Sequence, residues 1–160
     1  MVDIQELNKR REELALELYN EMQTFMTSLN SVSFLKKNYE LKKISERKTE
    51  PNIITFLSVT WLKICMLSGL KENQNHEVWQ DITNLIFNYH SDLTLEEIWK
   101  AFELERFREY SEKTEHYQFF NSEYVSAVLK KYRVWKQNTK IQHNITKPLT
   151  EKKPNVLSPN

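Results

Sequence analysis

An all-α fold is what this sequence predicts, and three observations carry the prediction. The 160-residue chain holds one glycine and four prolines, three of them (Pro148, Pro154, Pro159) near its C-terminus, so the turn chemistry an all-β fold needs is missing. Apolar residues recur at helical rather than alternating spacing along most of the length. Capping signals stand at the heads of those segments, the clearest at Thr94 and Glu97. The resulting expectation is a single domain over 1–137, with five to six helices around a buried central helix, followed by a basic, disordered tail over 138–160.

The elements follow in order. Asp3 is placed to cap a first helix over about 3–29, in which Ile4, Leu7, Leu14, Leu18, Met22, Phe25, Met26 and Leu29 form one apolar stripe. Its polar face carries acids; Arg11 interrupts a heptad seam, which favours packing on the domain over a coiled coil. From Ser33 to Lys48 the apolar residues thin to Phe34, Leu35, Tyr39, Leu41 and Ile44 while bases cluster, as on a solvated helix face or loop. Thr49-Glu50-Pro51 reads as the entry to the next helix, with proline near the first turn. That helix, Ile53 to Leu70, is apolar nearly all the way round and is read as the buried central one. Gly69 sits where its C-terminus needs positive φ.

Asn75 caps a fourth helix with Val78, Ile82, Leu85, Ile86 and Tyr89 on one face, and His90-Ser91-Asp92 forms a turn. Thr94 and Glu97 then make a capping box, with Leu93 and Ile98 placed as a hydrophobic staple. This fifth helix buries Leu95, Ile98, Trp99 and Phe102 and ends near Tyr110. Asn121 or Ser122 caps the last one, whose apolar face is Tyr124, Val125, Val128, Leu129, Tyr132 and Trp135.

The net charge of +1 hides an uneven distribution: −3 between Met1 and Ser31, +4 between Lys36 and Lys48, and +7 from Lys130 onward. Cys65 lies alone in an apolar run and reads as an inert buried thiol. No signal-peptide core follows Met1, and the most apolar stretch is too short and too interrupted to span a bilayer, so the expectation is a cytoplasmic protein without membrane contact. Asn144-Ile145-Thr146 matches a glycosylation sequon, which carries no weight in that compartment.

One glycine excludes a phosphate-binding glycine loop. His76, His90, His116 and His143 lack metal-ligand spacing, and Glu96 and Glu97, adjacent on a helix, point in different directions. The prediction is therefore a protein without catalytic residues, metal or cofactor. A helix-turn-helix over 77–102 is disfavoured, because Glu96, Glu97, Glu103 and Glu105 outnumber Lys100 and Arg106 and would repel phosphates. Better nucleic-acid candidates are Lys130, Lys131, Arg133, Lys136 and Lys140, beside Tyr132 and Trp135, together with Lys36, Lys37, Lys42 and Lys43. Tyr132 and Trp135 also continue the apolar stripe, which makes core packing their expected task.

Three stretches carry a family resemblance: W-Q-D-I-T-N-L-I-F-N-Y from Trp79, D-L-T-L-E-E-I-W-K-A-F from Asp92, and F-N-S-E-Y-V-S-A-V-L-K-K-Y from Phe120. Over about a third of its length the chain resembles small helical, helicase-loader-like replication proteins of Bacteroidetes-type phages and mobile elements. It departs from them between Phe107 and Phe119, which holds no glycine where their link carries a glycine turn. The resemblance implies a DNA-replication accessory protein, with DNA (single-stranded or duplex) or a replisome protein such as the replicative helicase as partner. The alternative is a protein-binding adaptor or inhibitor that docks through the acidic N-terminal helix.

Overall fold

A computed structural model describes residues 3–71, 75–116 and 119–149. They form α1 (Ile4–Thr27), α2 (Ser31–Asn38), α3 (Ile44–Arg47), α4 (Ile53–Leu67), α5 (His76–Tyr89), α6 (Leu95–Arg106) and α7 (Ser122–Gln142). Among the described residues no strand forms, only two isolated bridges, Lys43 with Thr94 and Lys71 with Phe119. The all-helical expectation holds.

Side-chain caps start most of the helices. The Asp3, Asn75 and Asn121 carboxamides and carboxylate accept from the amides of Gln5, Glu77 and Tyr124, and an unanticipated cap, Asn30, accepts from Ser33. Thr94 and Glu97 close the reciprocal box: the Glu97 amide donates to Thr94 Oγ1 at 3.0 Å and the Thr94 amide to Glu97 Oε1 at 3.2 Å. Pro51 stands directly before Asn52, the N-cap of α4, at the helix entry.

Three helices end in the same paired backbone pattern, in which the residue beyond the cap turns left-handed and two amides bond back to free carbonyls. In α4 that residue is Gly69 at φ +69°, with Leu70 N–H donating to Cys65 C=O at 3.1 Å. In α6 it is Arg108 at φ +60°, which places the glycine-free link at 107–119 and ends the helix at Arg106 rather than near Tyr110. In α7 it is Asn144 at φ +52°, and Ile145 N–H donates to Lys140 C=O. Ile145 is buried. α7 thus runs past the boundary expected at 137, and 150–160 of the expected disordered tail lie outside the described residues.

A buried central helix exists, but it is α6 and not α4. α6 buries Leu95, Ile98, Trp99, Ala101, Phe102 and Leu104 together with Glu97, Lys100 and Glu105. It lies between α4 and α7, and Tyr19 of α1 meets Trp99 edge-on at 5.4 Å. α4 buries one face only, leaving Ile54, Leu62, Met66 and Leu67 exposed. Trp61 of α4, Phe102 of α6 and Phe120 meet at 5.7 to 6.2 Å between ring centroids and fill the centre. α1 is buried only from Ala15 onward; residues 3–14, with Ile4, Leu7 and Leu14, are all exposed. The expected stripe packs through its second half alone.

Candidate nucleic-acid interface

The two basic stretches of the sequence meet in space. α2 packs on α7, and Lys140 Nζ lies 4.5 Å from the centroid of the Tyr39 ring, a cation–π contact across that junction. The first turn of α3 is tied to the α5–α6 turn by Ile44 N–H donating to Leu93 C=O at 2.8 Å and Ser45 N–H to Ser91 C=O at 2.9 Å. These constraints enclose a polar cleft of about 390 Å³, into which Lys43, Lys136, Lys140 and Lys147 converge beside Tyr39 and Thr94.

Three carboxylates also line it, and internal donors engage each of them. Glu97 is 1% exposed; Tyr132 Oη donates to its Oε2 at 2.6 Å and Lys136 Nζ pairs with the same oxygen at 2.7 Å. Burial, with Glu97 beside it, pushes the Tyr132 phenol well above the ordinary tyrosine range, so it stays a donor. Asp92 receives both Arg133 nitrogens at 2.7 and 2.8 Å, which holds its carboxyl below the usual range. Glu46 Oε1 accepts from the Lys43 amide. At the floor, Thr94 Oγ1 donates to Asn38 Oδ1 at 2.7 Å.

The nine candidate cations therefore divide. Lys131, Arg133 and Lys136 are committed inward: Lys131 Nζ donates to Glu112 C=O at 2.5 Å and lies 3.8 Å from Glu105, Arg133 holds Asp92 and reaches His90 Nδ1 at 3.1 Å, and Lys136 holds Glu97. Lys130, Lys36, Lys37, Lys42 and Lys43 are exposed, and their side chains form no ion pair among the described residues. Lys140 contributes to the cleft while resting on Tyr39. Lys36, Lys37 and Lys42 flank the cleft in sequence without lining it.

Tyr132 is wholly buried, as its place on the apolar stripe requires, and Trp135, half-buried, stacks on it at 5.7 Å. Lys130 and Lys131 join Trp135 and Tyr110 around a second, more open hollow of about 550 Å³. Lys147 is the cleft lysine that the sequence candidates did not include. The usable signal was Asn144-Ile145, a left-handed cap followed by an apolar anchor, which pins the chain beyond α7. The chain matches no family model, no curated protein and no solved structure.

Proposed function

We propose that this chain is a non-enzymatic accessory protein of DNA replication in a phage or mobile element, contacting DNA or a replisome partner such as a helicase through its basic surface. The observation that carries the nucleic-acid half of this reading is the convergence of two separate basic stretches on the α2–α7 junction, where Lys43, Lys140 and Lys147 face one cleft beside Lys136, itself paired with Glu97. Polyanion binding is driven by cations that can exchange counterions for phosphates, and the exposed Lys36, Lys37, Lys42 and Lys130 extend that field around the cleft. The buried carboxylates Glu97 and Glu105 serve the scaffold, holding α7 and the link after α6 in place. The replication assignment rests on the sequence resemblance.

Fluorescence anisotropy with single-stranded and duplex oligonucleotides over a salt series tests it. Around four phosphate contacts give a log–log slope of about −3 to −4. Changing Lys36, Lys37, Lys42 and Lys130 together to serine should weaken binding without unfolding the protein, because none of the four is bonded into the core. Absence of binding at low salt, or an unchanged affinity in that variant, overturns the nucleic-acid reading.

One observation favours the adaptor reading: the first three turns of α1 project from the body with Glu6, Glu12 and Glu13 beside exposed Ile4, Leu7 and Leu14. An adaptor of this kind binds no DNA and retains a host protein in a pull-down that Leu7→Glu with Leu14→Glu abolishes.

A further inference from the structure

We infer that the α2–α7 cleft is a pocket for a single phosphate monoester, either the terminal phosphate of a nucleic-acid strand or that of a free nucleotide. The inference deepens the nucleic-acid reading and rests on it for the choice of ligand. Size comes first. At about 390 Å³ the cleft lies at the lower end of the range of ligand pockets, roughly 300–1,000 Å³, which suits one small anion and excludes a running duplex.

Charge comes second. Two of the pocket's acids are taken up internally, Asp92 by Arg133 and Glu97 by Tyr132, Lys136 and the Thr94 amide, while Glu46, exposed, accepts only from the Lys43 amide at 3.4 Å and keeps its charge. Lys43, Lys140 and Lys147 form no ion pair among the described residues, so three ammonium groups face the single unpaired carboxylate of Glu46 and positive charge is in excess around one space. Lys140 is held at the rim by the Tyr39 ring, which removes part of its hydration and leaves its N–H groups to find an acceptor. The floor adds a neutral donor: Asn38, buried, accepts from Thr94 at its Oδ1, and its amide nitrogen has no acceptor among the described residues. A dianionic monoester offers three acceptor oxygens and carries more charge than the phosphodiesters within a strand. The pocket therefore discriminates an end from the middle.

The test compares the full chain binding a short single-stranded oligonucleotide with a 5′-phosphate, the same strand with a 3′-phosphate, the unphosphorylated strand, and adenosine monophosphate as competitor. One phosphorylated end should bind on the order of 10-fold more tightly than the bare strand, with adenosine monophosphate competing, and Lys140→Ser with Lys147→Ser should erase that preference. Lys147→Ser alone removes a side chain with no internal bond, so a reduced preference in it is free of folding effects. Equal binding of all three strands overturns the pocket and leaves the general nucleic-acid reading standing. Binding of adenosine monophosphate alone, lost in the double variant, supports the pocket with a free nucleotide as its ligand and ends the strand-binding reading. Binding of none of them overturns both.

Discussion

α4 and α6 are opposites in sequence and exchange roles in the fold. α4 carries one charge, Lys63, in fifteen residues; α6 carries six in twelve. Yet α6 buries nine of its residues, three of them ionisable, whereas α4 buries seven and shows water Ile54, Leu62, Met66 and Leu67. The difference lies in what surrounds each helix. α6 is covered by α4, by α7 and by Tyr19 of α1, while α4, packed by α1, α5 and α6, still leaves Ile54 and Leu62 at an open hollow against α5 and Met66 and Leu67 exposed. A charged helix can occupy the centre when its neighbours supply matched partners, and α7 does so with Tyr132 and Lys136 on Glu97 and Lys131 near Glu105. Those same lysines are thereby withdrawn from the surface that a charge count assigns to them.

The strongest way to break the contrast is Glu97→Ala. It leaves Tyr132 Oη and Lys136 Nζ without their shared acceptor in the interior, and removing one partner of a buried pair costs about 3–5 kcal/mol. Urea unfolding should show a loss of that size. Glu97→Ala with Lys136→Met should recover part of it, because no uncompensated charge then remains. A loss below 1 kcal/mol would mean that α6 is not held by its carboxylates and that apolar packing alone centres it.

This network also marks where sequence reading stops. Caps are local, so Asp3, Asn75, Thr94 with Glu97, and Asn121 were legible from a few residues each. Periodicity told which face of α7 is buried, and Tyr132 follows it. It could not rank helices by burial, because coverage depends on neighbours distant in the chain: α4 looks central on its own composition, and the partners of Glu97 lie on α7, some 35 residues away. The cleft is less legible still. It needs Tyr39 and Lys140 in contact across a hundred residues, and nothing local in either segment announces the other.

A smaller effect sharpens the point that burial is tolerated only where partners exist. Glu96, next to Glu97 on the same helix, has one carboxylate oxygen buried without a partner and its nearest cation, Arg47, at 3.9 Å. Burial raises its pKa, with Arg47 partly offsetting it. A raised folded pKa means stability that is present below the unfolded value and lost as pH rises through the folded one, so at neutral pH the carboxylate is a net cost. Glu96→Gln should gain about 1 kcal/mol at pH 7 and little at pH 4. A loss at pH 7 would show that the Arg47 pair outweighs desolvation.

The α5–α6 turn has the opposite sign. Burial, and then Arg133, lowers the pKa of His90, which accepts from Arg133 at Nδ1 in its neutral form. A depressed folded pKa contributes stability that is present above the unfolded value, about 6.5, and is lost as pH falls through the folded one. Asp92, also depressed, extends that loss to lower pH. Stability should therefore fall from pH 7 toward pH 5, and His90→Asn should flatten the slope over that window. An unchanged slope would assign the acid sensitivity to other groups.

The smallest effect is the one expected on the outer face of α4. Met66 is 63% exposed, so Met66→Ser removes little buried surface and should change stability by less than about 0.5 kcal/mol. Ile64→Ser, two residues earlier and fully buried, supplies the control, with a loss of several times that size. The pair tests whether the apolar composition of α4 reflects its place in the monomer. If Met66→Ser costs more than 1 kcal/mol, and the cost grows with protein concentration, the exposed face is covered in solution by a second copy. The contrast with α6 would then be one between a helix buried within the chain and a helix buried by assembly.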